Sequence, residues 1–293
     1  MSKIHFITDF IKKQEDFGGA AMTGEVYLDF IRSLYGDRLH IYTHKDRPPQ
    51  PNEEDLFIFG NRSLYPETYL NSFIGSKYII FEHDHQYDKG KPGTDGRNPW
   101  IHNMEGLVPD EHKQQLDFYK NAKVVFVLTD FHKSMFEKNN IECNLENIKC
   151  SLFSRQDLDL IRSISKDSSP SSRKICVHNS NVWLKGTAQA VDFCKGNKLE
   201  YDLLPESSSR EEFLRNLSKY STLVFFPLSP ESCCRFVMEA KMLGLNVLTS
   251  QNYGASTSEW FTQSGNDLID TVENLNYNYA LPLIEKYLKQ YAG

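Results

Sequence analysis

Glu231 and Glu239 stand eight residues apart in the stretch Leu223-Val-Phe-Phe-Pro-Leu-Ser-Pro-Glu-Ser-Cys-Cys-Arg-Phe-Val-Met-Glu-Ala-Lys-Met-Leu-Gly244. Glu231 follows an apolar run and Pro230, just before a predicted helix. Free N–H groups at such a start attract anionic groups, and a carboxylate beside them accepts hydrogen bonds from sugar hydroxyls. Glu239, two turns into the helix, is placed to grip a second polyol such as a ribose. Lys185-Gly186 in Val182-Trp-Leu-Lys-Gly-Thr187 offers an ammonium and backbone N–H groups to a diphosphate. Gly18-Gly19 lets main chain approach a ligand closely. Glu82-His-Asp-His-Gln86 ends an apolar run, and in an extended chain His83 and His85 face one way, Glu82 and Asp84 the other. That alternation supplies only two metal ligands per face, where closed zinc sites usually need four. Each feature has a structural alternative: Glu231 as a helix cap, Glu239 on a solvated face, Lys185 as a surface lysine, Gly-Gly as ordinary loop chemistry, and the histidines as satisfied groups at a sheet edge.

These residues need elements to hold them. Short apolar runs predict strands at Lys3–Thr8, Leu39–Thr43, Leu56–Gly60, Lys77–Glu82 and Val124–Thr129, and again at Lys174–His178, Glu200–Leu204, Leu223–Pro227 and Asn246–Ser250. Amphipathic segments between them predict helices, among them Ala21–Leu34, Pro66–Ile74, Asp110–Asn121, Thr187–Lys195, Arg210–Leu217, Arg235–Leu243 and a last one over about 280–291. The alternation predicts an α/β chain with two Rossmann-like parallel-sheet domains facing a cleft. Ser163–Ser172, rich in Ser, Asp and Pro, reads as the linker between them. The expected division is 1–160, then 173–277, with a final helix over 278–293 returning to the first domain. Open parallel sheets bind ligands outside the carboxyl ends of their strands, which is where the candidate residues fall.

Composition narrows the class. A chain of 293 residues with 40% hydrophobic and 25% charged residues excludes collagen-like, low-complexity and coiled-coil architectures. The longest apolar runs have strand length, and the N-terminus has no signal-peptide pattern, so the expectation is a cytoplasmic protein without transmembrane association. The formal net charge of −6 supplies no global field for gripping a phosphate backbone, though a local basic groove remains open. Six cysteines in no metal-binding spacing read as reduced thiols.

The Glu231–Glu239 segment resembles the E-x7-E motif of family 4 glycosyltransferases, which have the GT-B fold. The likeness extends to Pro230, Glu239-Ala240, Gly244 and the later Gly254, with Cys233-Cys234 where that family usually has Phe-Gly. It implies a retaining, metal-independent transferase with a nucleotide-sugar donor as substrate and no cofactor. The implied roles are Glu231 on the donor sugar, Glu239 on the ribose and Lys185 on the leaving diphosphate. His83 becomes the cleft histidine that touches the sugar, with His85 the second choice. Gly18, Gly19, Gly186, Ser232 and Arg235 complete the implied donor site. The family usually carries an Arg five residues before the lysine; Ser180 stands there, and Arg235 is the candidate to replace its charge. Domain 1–160 is then the acceptor side and 173–277 the nucleotide-sugar side.

The acceptor is read from a different segment. Tyr87–Trp100 is a long Gly/Pro loop beside the expected cleft, with Lys89, Lys91, Arg97 and Trp100 combining charge and an aromatic as acceptor candidates. Glu82-His-Asp-His-Gln-Tyr87 resembles a segment of compact glycosyltransferases of tailed phages. The acceptor candidates are therefore a hydroxymethylated pyrimidine in phage DNA, or a glycan. Two other function classes stand beside transfer: a non-catalytic nucleotide- or nucleic-acid-binding GT-B module, and a nucleotide-sugar epimerase.

Overall fold

The computed structural model describes residues 2–9, 11, 18–89, 106–167, 174–250 and 253–293. The first lobe runs β1 (Ile4–Thr8), α1 (Gly19–Tyr35), β2 (Leu39–Thr43), β3 (Leu56–Phe59), α2 (Glu67–Asn71), β4 (Lys77–Phe81), α3 (Leu116–Asn121), β5 (Val124–Val127), α4 (Asp130–Lys138) and β6 (Leu145–Asn147). The second runs α5 (Arg155–Asp167), β7 (Ile175–Val177), α6 (Thr187–Gly196), β8 (Tyr201–Leu203), α7 (Arg210–Leu217), β9 (Thr222–Phe225), α8 (Arg235–Met242), β10 (Asn246–Thr249), α9 (Gly254–Thr257), α10 (Gly265–Asn274) and α11 (Leu281–Ala292).

The first lobe's sheet has the order β2-β1-β3-β4-β5-β6 and the second β10-β9-β7-β8, every pair parallel. The central strands are covered on both faces. Leu56, Phe57, Ile58 and Phe59 are all fully buried, the pattern of a parallel strand sandwiched between helices. α1 turns Tyr27, Leu28 and Ile31 onto that sheet. Thr129 caps α4 by accepting from the His132 N–H, and Ser209 caps α7 by accepting from the Glu212 N–H.

Three local expectations change. Ser163–Asp167 is the last part of α5 rather than linker, because Leu158, Ile161 and Ile164 recur at helical spacing and are buried; 168–173 lie outside the described residues. α5 spans the expected boundary, and its packing partners are α7, α8 and α10. The predicted Asp110–Asn121 helix is instead a single turn at Asp110–His112 followed by α3, separated by Gln115 at φ 57°. A π-helical stretch, Leu275–Ala280, joins α10 to α11. From it Asn276 accepts from the Phe153 N–H at 2.8 Å, and the Tyr279 hydroxyl donates to the Asn147 carbonyl at 3.2 Å. α11 lies against the first lobe, with Tyr287 edge-on to Phe126 and its hydroxyl donating to Glu146. All six cysteines are free thiols. Among the described residues no helix is long and apolar enough to cross a membrane.

Candidate functional site

The carboxyl ends of the two sheets open on one cavity of about 440 Å³, within the size range of small-molecule sites. Gly18, Gly19, His83 and Asp84 line it from the first lobe; Lys185, Glu231, Ser232, Arg235 and Glu239 line it from the second. Lys185 sits in a tight turn after β7. The turn depends on Gly186, at φ 66°, where an added Cβ would fall 1.7 Å from the Phe226 carbonyl oxygen. Gly186→Ala is therefore expected to cost about 2 kcal/mol or more, measured as a lower urea midpoint, and to shift Lys185 away from the exit of β9.

Lys185 Nζ donates to Glu231 Oε1, so ammonium and carboxylate meet inside the cavity. Lost hydration in the cavity wall pushes the partly exposed Lys185 ammonium toward a lower pKa, but Glu231 outweighs this and raises it. The loop bearing Glu231 is held from three sides. The Gly254 N–H donates to the Glu231 carbonyl at 2.9 Å, and an added Cβ at Gly254 would lie 2.0 Å from the Ser232 carbonyl oxygen. Thr129 Oγ1 donates to the Ser232 carbonyl at 2.6 Å, and Ser232 Oγ donates to the His83 carbonyl. His85 Nε2 donates to the Pro230 carbonyl at 3.0 Å while its Nδ1 accepts from Tyr87. Residues of both lobes thus lock this loop by hydrogen bonds between buried groups, each worth about 1 kcal/mol net.

Glu239 is nearly fully buried and held by two arginines. Arg210 reaches it bidentately at 2.6 and 3.0 Å, and Arg235 Nε at 2.9 Å. Arg235 also donates to Asp157 at 2.9 Å and to the Leu152 carbonyl, with its guanidinium 3.7 Å from the Phe153 ring centroid. Its three nitrogens are thus all engaged within the protein. Among the described residues Glu239 Oε2 accepts from Arg210 alone, which leaves it a second lone pair on the cavity side. Ser180, five residues before Lys185, accepts at its carbonyl from Thr187 Oγ1 and belongs to the turn.

The histidines divide by partner. His132 accepts from the Leu128 N–H at Nδ1 and donates to the Asp84 carbonyl at 2.7 Å through Nε2. His85 stacks edge-on to His132 and ties the lobes together, whereas His83 lines the cavity with its Nδ1 unpartnered. Burial lowers His83 to about 4 and keeps it neutral at pH 7. Just before it, Glu82 is fully buried with Arg62: Nη2 to Oε2 is 2.8 Å, Tyr119 donates to the same oxygen at 2.5 Å, and Arg62 Nε donates to Gln115 at 3.1 Å. This pair anchors the strand exit that presents His83 and Asp84.

The structure brings Gly18, Gly19, His83, Lys185, Glu231, Ser232, Arg235 and Glu239 to one cavity wall, with Gly186 in the adjoining turn. It does not bring Lys89 there: Lys89 is exposed, its N–H donating to the His112 carbonyl at 2.9 Å. Lys91, Arg97 and Trp100 lie outside the described residues. Sequence reasoning missed Asp84 as a cavity group, and also Arg210, Asp157 and His178. Arg210 and Asp157 reach the site from α7 and α5, distances along the chain that no local pattern carries. His178 follows β7 at its carboxyl end, so its position alone marked it. It packs 4.6 Å from Phe236, and with Phe213 and Phe225 they form an aromatic wall.

The fold is GT-B. Over 99% of this chain and 99% of its own, a trehalose-6-phosphate synthase superposes with TM-score 0.61 at 8% identity. A trehalose-phosphate synthase (UDP-forming) from Burkholderia vietnamiensis gives 0.54 at 9% identity over 99% and 95%. A sucrose-phosphate synthase from Thermosynechococcus elongatus gives 0.52 at 9% identity over 99% and 99%. No family model matches the sequence, and no curated protein matches it. At these identities the likeness concerns the fold.

Proposed function

We propose that the protein transfers a sugar from a nucleotide-sugar donor to an acceptor hydroxyl. The observation that carries this reading is the meeting of Lys185, Glu231, Glu239 and His83 on one cavity at the carboxyl ends of two facing parallel sheets. The fold neighbours give it context: one is named as a UDP-forming synthase. In this reading Glu239 Oε2 takes a ribose hydroxyl, Glu231 the donor sugar, and Lys185 with the N–H groups opening α6 the diphosphate. The bond from the anomeric carbon to phosphate oxygen breaks, the acceptor oxygen bonds that carbon, and the acceptor's proton goes to the departing diphosphate. Attack from the leaving-group face retains the anomeric configuration. No metal is assigned a role.

For the acceptor, a glycan hydroxyl is favoured over a hydroxymethylated pyrimidine in phage DNA. Among the described residues three carboxylates against two cations line the cavity, a poor field for a polyphosphate backbone. A cytoplasmic setting, where free thiols persist, fits the same reading.

The test is incubation with a panel of nucleotide sugars, with and without glycans and hydroxymethylated DNA, following released nucleotide diphosphate and product. Glycan-dependent release with an α-configured product from an α-linked donor is expected. Donor binding without turnover identifies a non-catalytic module. An altered sugar without acceptor identifies an epimerase. DNA-dependent release that falls steeply with salt reverses the acceptor choice.

A further inference from the structure

Among the described residues Asp84, Glu231 and Glu239 are the carboxylates on the cavity, and Lys185 and Arg235 its cations. Both cations are engaged, Lys185 on Glu231 and Arg235 on Glu239 and Asp157. Behind the wall Arg210 sits between Glu239, at 2.6 Å, and Asp157, at 3.7 Å. Asp84 is left over: among the described residues no cation comes within ion-pair distance of its carboxylate, which is exposed to the cavity. Only its main chain is tied, by His132 at the carbonyl. A diphosphate entering here brings two negative charges to a wall whose described residues carry a formal charge of −1 (two cations, three carboxylates).

We propose that Asp84 takes up a proton as the diphosphate group of a nucleotide sugar binds, so that it faces the donor as a neutral acid and a hydrogen-bond donor. This rests on the nucleotide-sugar reading above and adds a residue that neither spacing nor resemblance assigned. The groups around Asp84 isolate it as the proton acceptor. Glu82, His83 and His85 share its strand exit, His132 faces it from α4, Lys185 from the turn before α6, and Glu231 from the loop before α8. His178, Arg235 and Glu239 lie further round the wall. Burial holds His83 and His178 down at about 4 and His85 and His132 at about 3, so none of the four changes charge near neutrality. Asp84 is accessible from the cavity, yet its enclosure between the two lobes costs hydration and pushes the carboxyl up to about 6, with Lys185 opposing and Glu231 and Glu82 adding to it. A nearby dianion moves it further up. The protonated form binds the anion better. Affinity is therefore full below about pH 6 and falls as pH rises, by at most about tenfold per unit.

Calorimetric titration with UDP-glucose, GDP-mannose and ADP-glucose tests this, because their diphosphate diesters keep constant charge across the range. Titrations run at about pH 6, 7 and 8 in two buffers of different ionisation enthalpy. The expected result is close to one proton taken up per ligand near pH 7.5, and affinity weaker by roughly tenfold or more at pH 8 than at pH 6. Asp84→Asn is expected to bind without proton uptake and with affinity nearly independent of pH. Wild-type binding without uptake overturns the proposal whether or not the variant folds, and so does uptake that persists in Asp84→Asn. If the wild-type protein binds none of the three, the nucleotide-sugar reading falls and this proposal with it, a result distinct from pH-independent binding.

Discussion

Lys185→Ala is expected to lower kcat/KM for nucleotide-diphosphate release by about 10³-fold, mostly in kcat, with the unfolding midpoint nearly unchanged. Charge develops on the leaving diphosphate in the transition state, and among the described residues Lys185 is the cavity cation outside the buried arginine cluster. Arg235 keeps its nitrogens on Glu239, Asp157 and the Leu152 carbonyl. Lys185 is partly exposed, so its removal costs little folding energy. Glu231→Ala is expected to lose activity to a similar degree. The two losses together should fall short of additive, because the side chains form one ion pair. Wild-type-like turnover in both single variants would sink the site assignment.

Arg62→Met is expected to destabilise the first lobe by about 3–5 kcal/mol, seen as a thermal midpoint lower by about 10 °C. Arg62 and Glu82 are both fully buried, and removing the guanidinium leaves a carboxylate among apolar rings with Tyr119 as its main partner. The double variant Arg62→Met, Glu82→Leu should recover most of the loss, since burying two ions costs about as much as their attraction returns. A single variant as stable as wild type would show that Glu82 is protonated or solvated in the folded state. The consequence reaches the site, because Glu82 fixes the strand exit that carries His83 and Asp84.

Much of this architecture is legible in local patterns. The runs at Leu56–Phe59 and Thr222–Phe225 are apolar without a break, as strands covered on both faces must be. The glycine at 186 and the prolines at 227 and 230 punctuate the chain where the turns fall. β6, α5, α9 and α10 were not read. β6 is three residues, Leu145–Asn147, too short for a period, and in α10 polar residues separate the buried Leu268, Ile269 and Val272. Ser163–Asp167 was read as linker because its serines outweigh its one isoleucine by composition, although Ile164 completes a buried stripe begun at Leu158. Composition sums over residues, whereas a helix face selects every third or fourth of them.

Residue order alone determined the alternation of elements, the placement of candidate groups at strand ends, and the eight-residue spacing of Glu231 and Glu239; these depend on neighbours in the chain. The expected two helical turns between them shorten to one, because Cys234 at φ 70° starts α8 only at Arg235 and leaves Glu231 in the loop before it. Partners were decided only by the tertiary structure. Glu239 meets Arg210 and Arg235, Lys185 meets Glu231, His85 is diverted to the Pro230 carbonyl, and Asp84 is left without a counter-charge among the described residues. Ion pairing and desolvation depend on distances of a few ångströms between segments tens of residues apart, and a one-dimensional pattern carries no such distances.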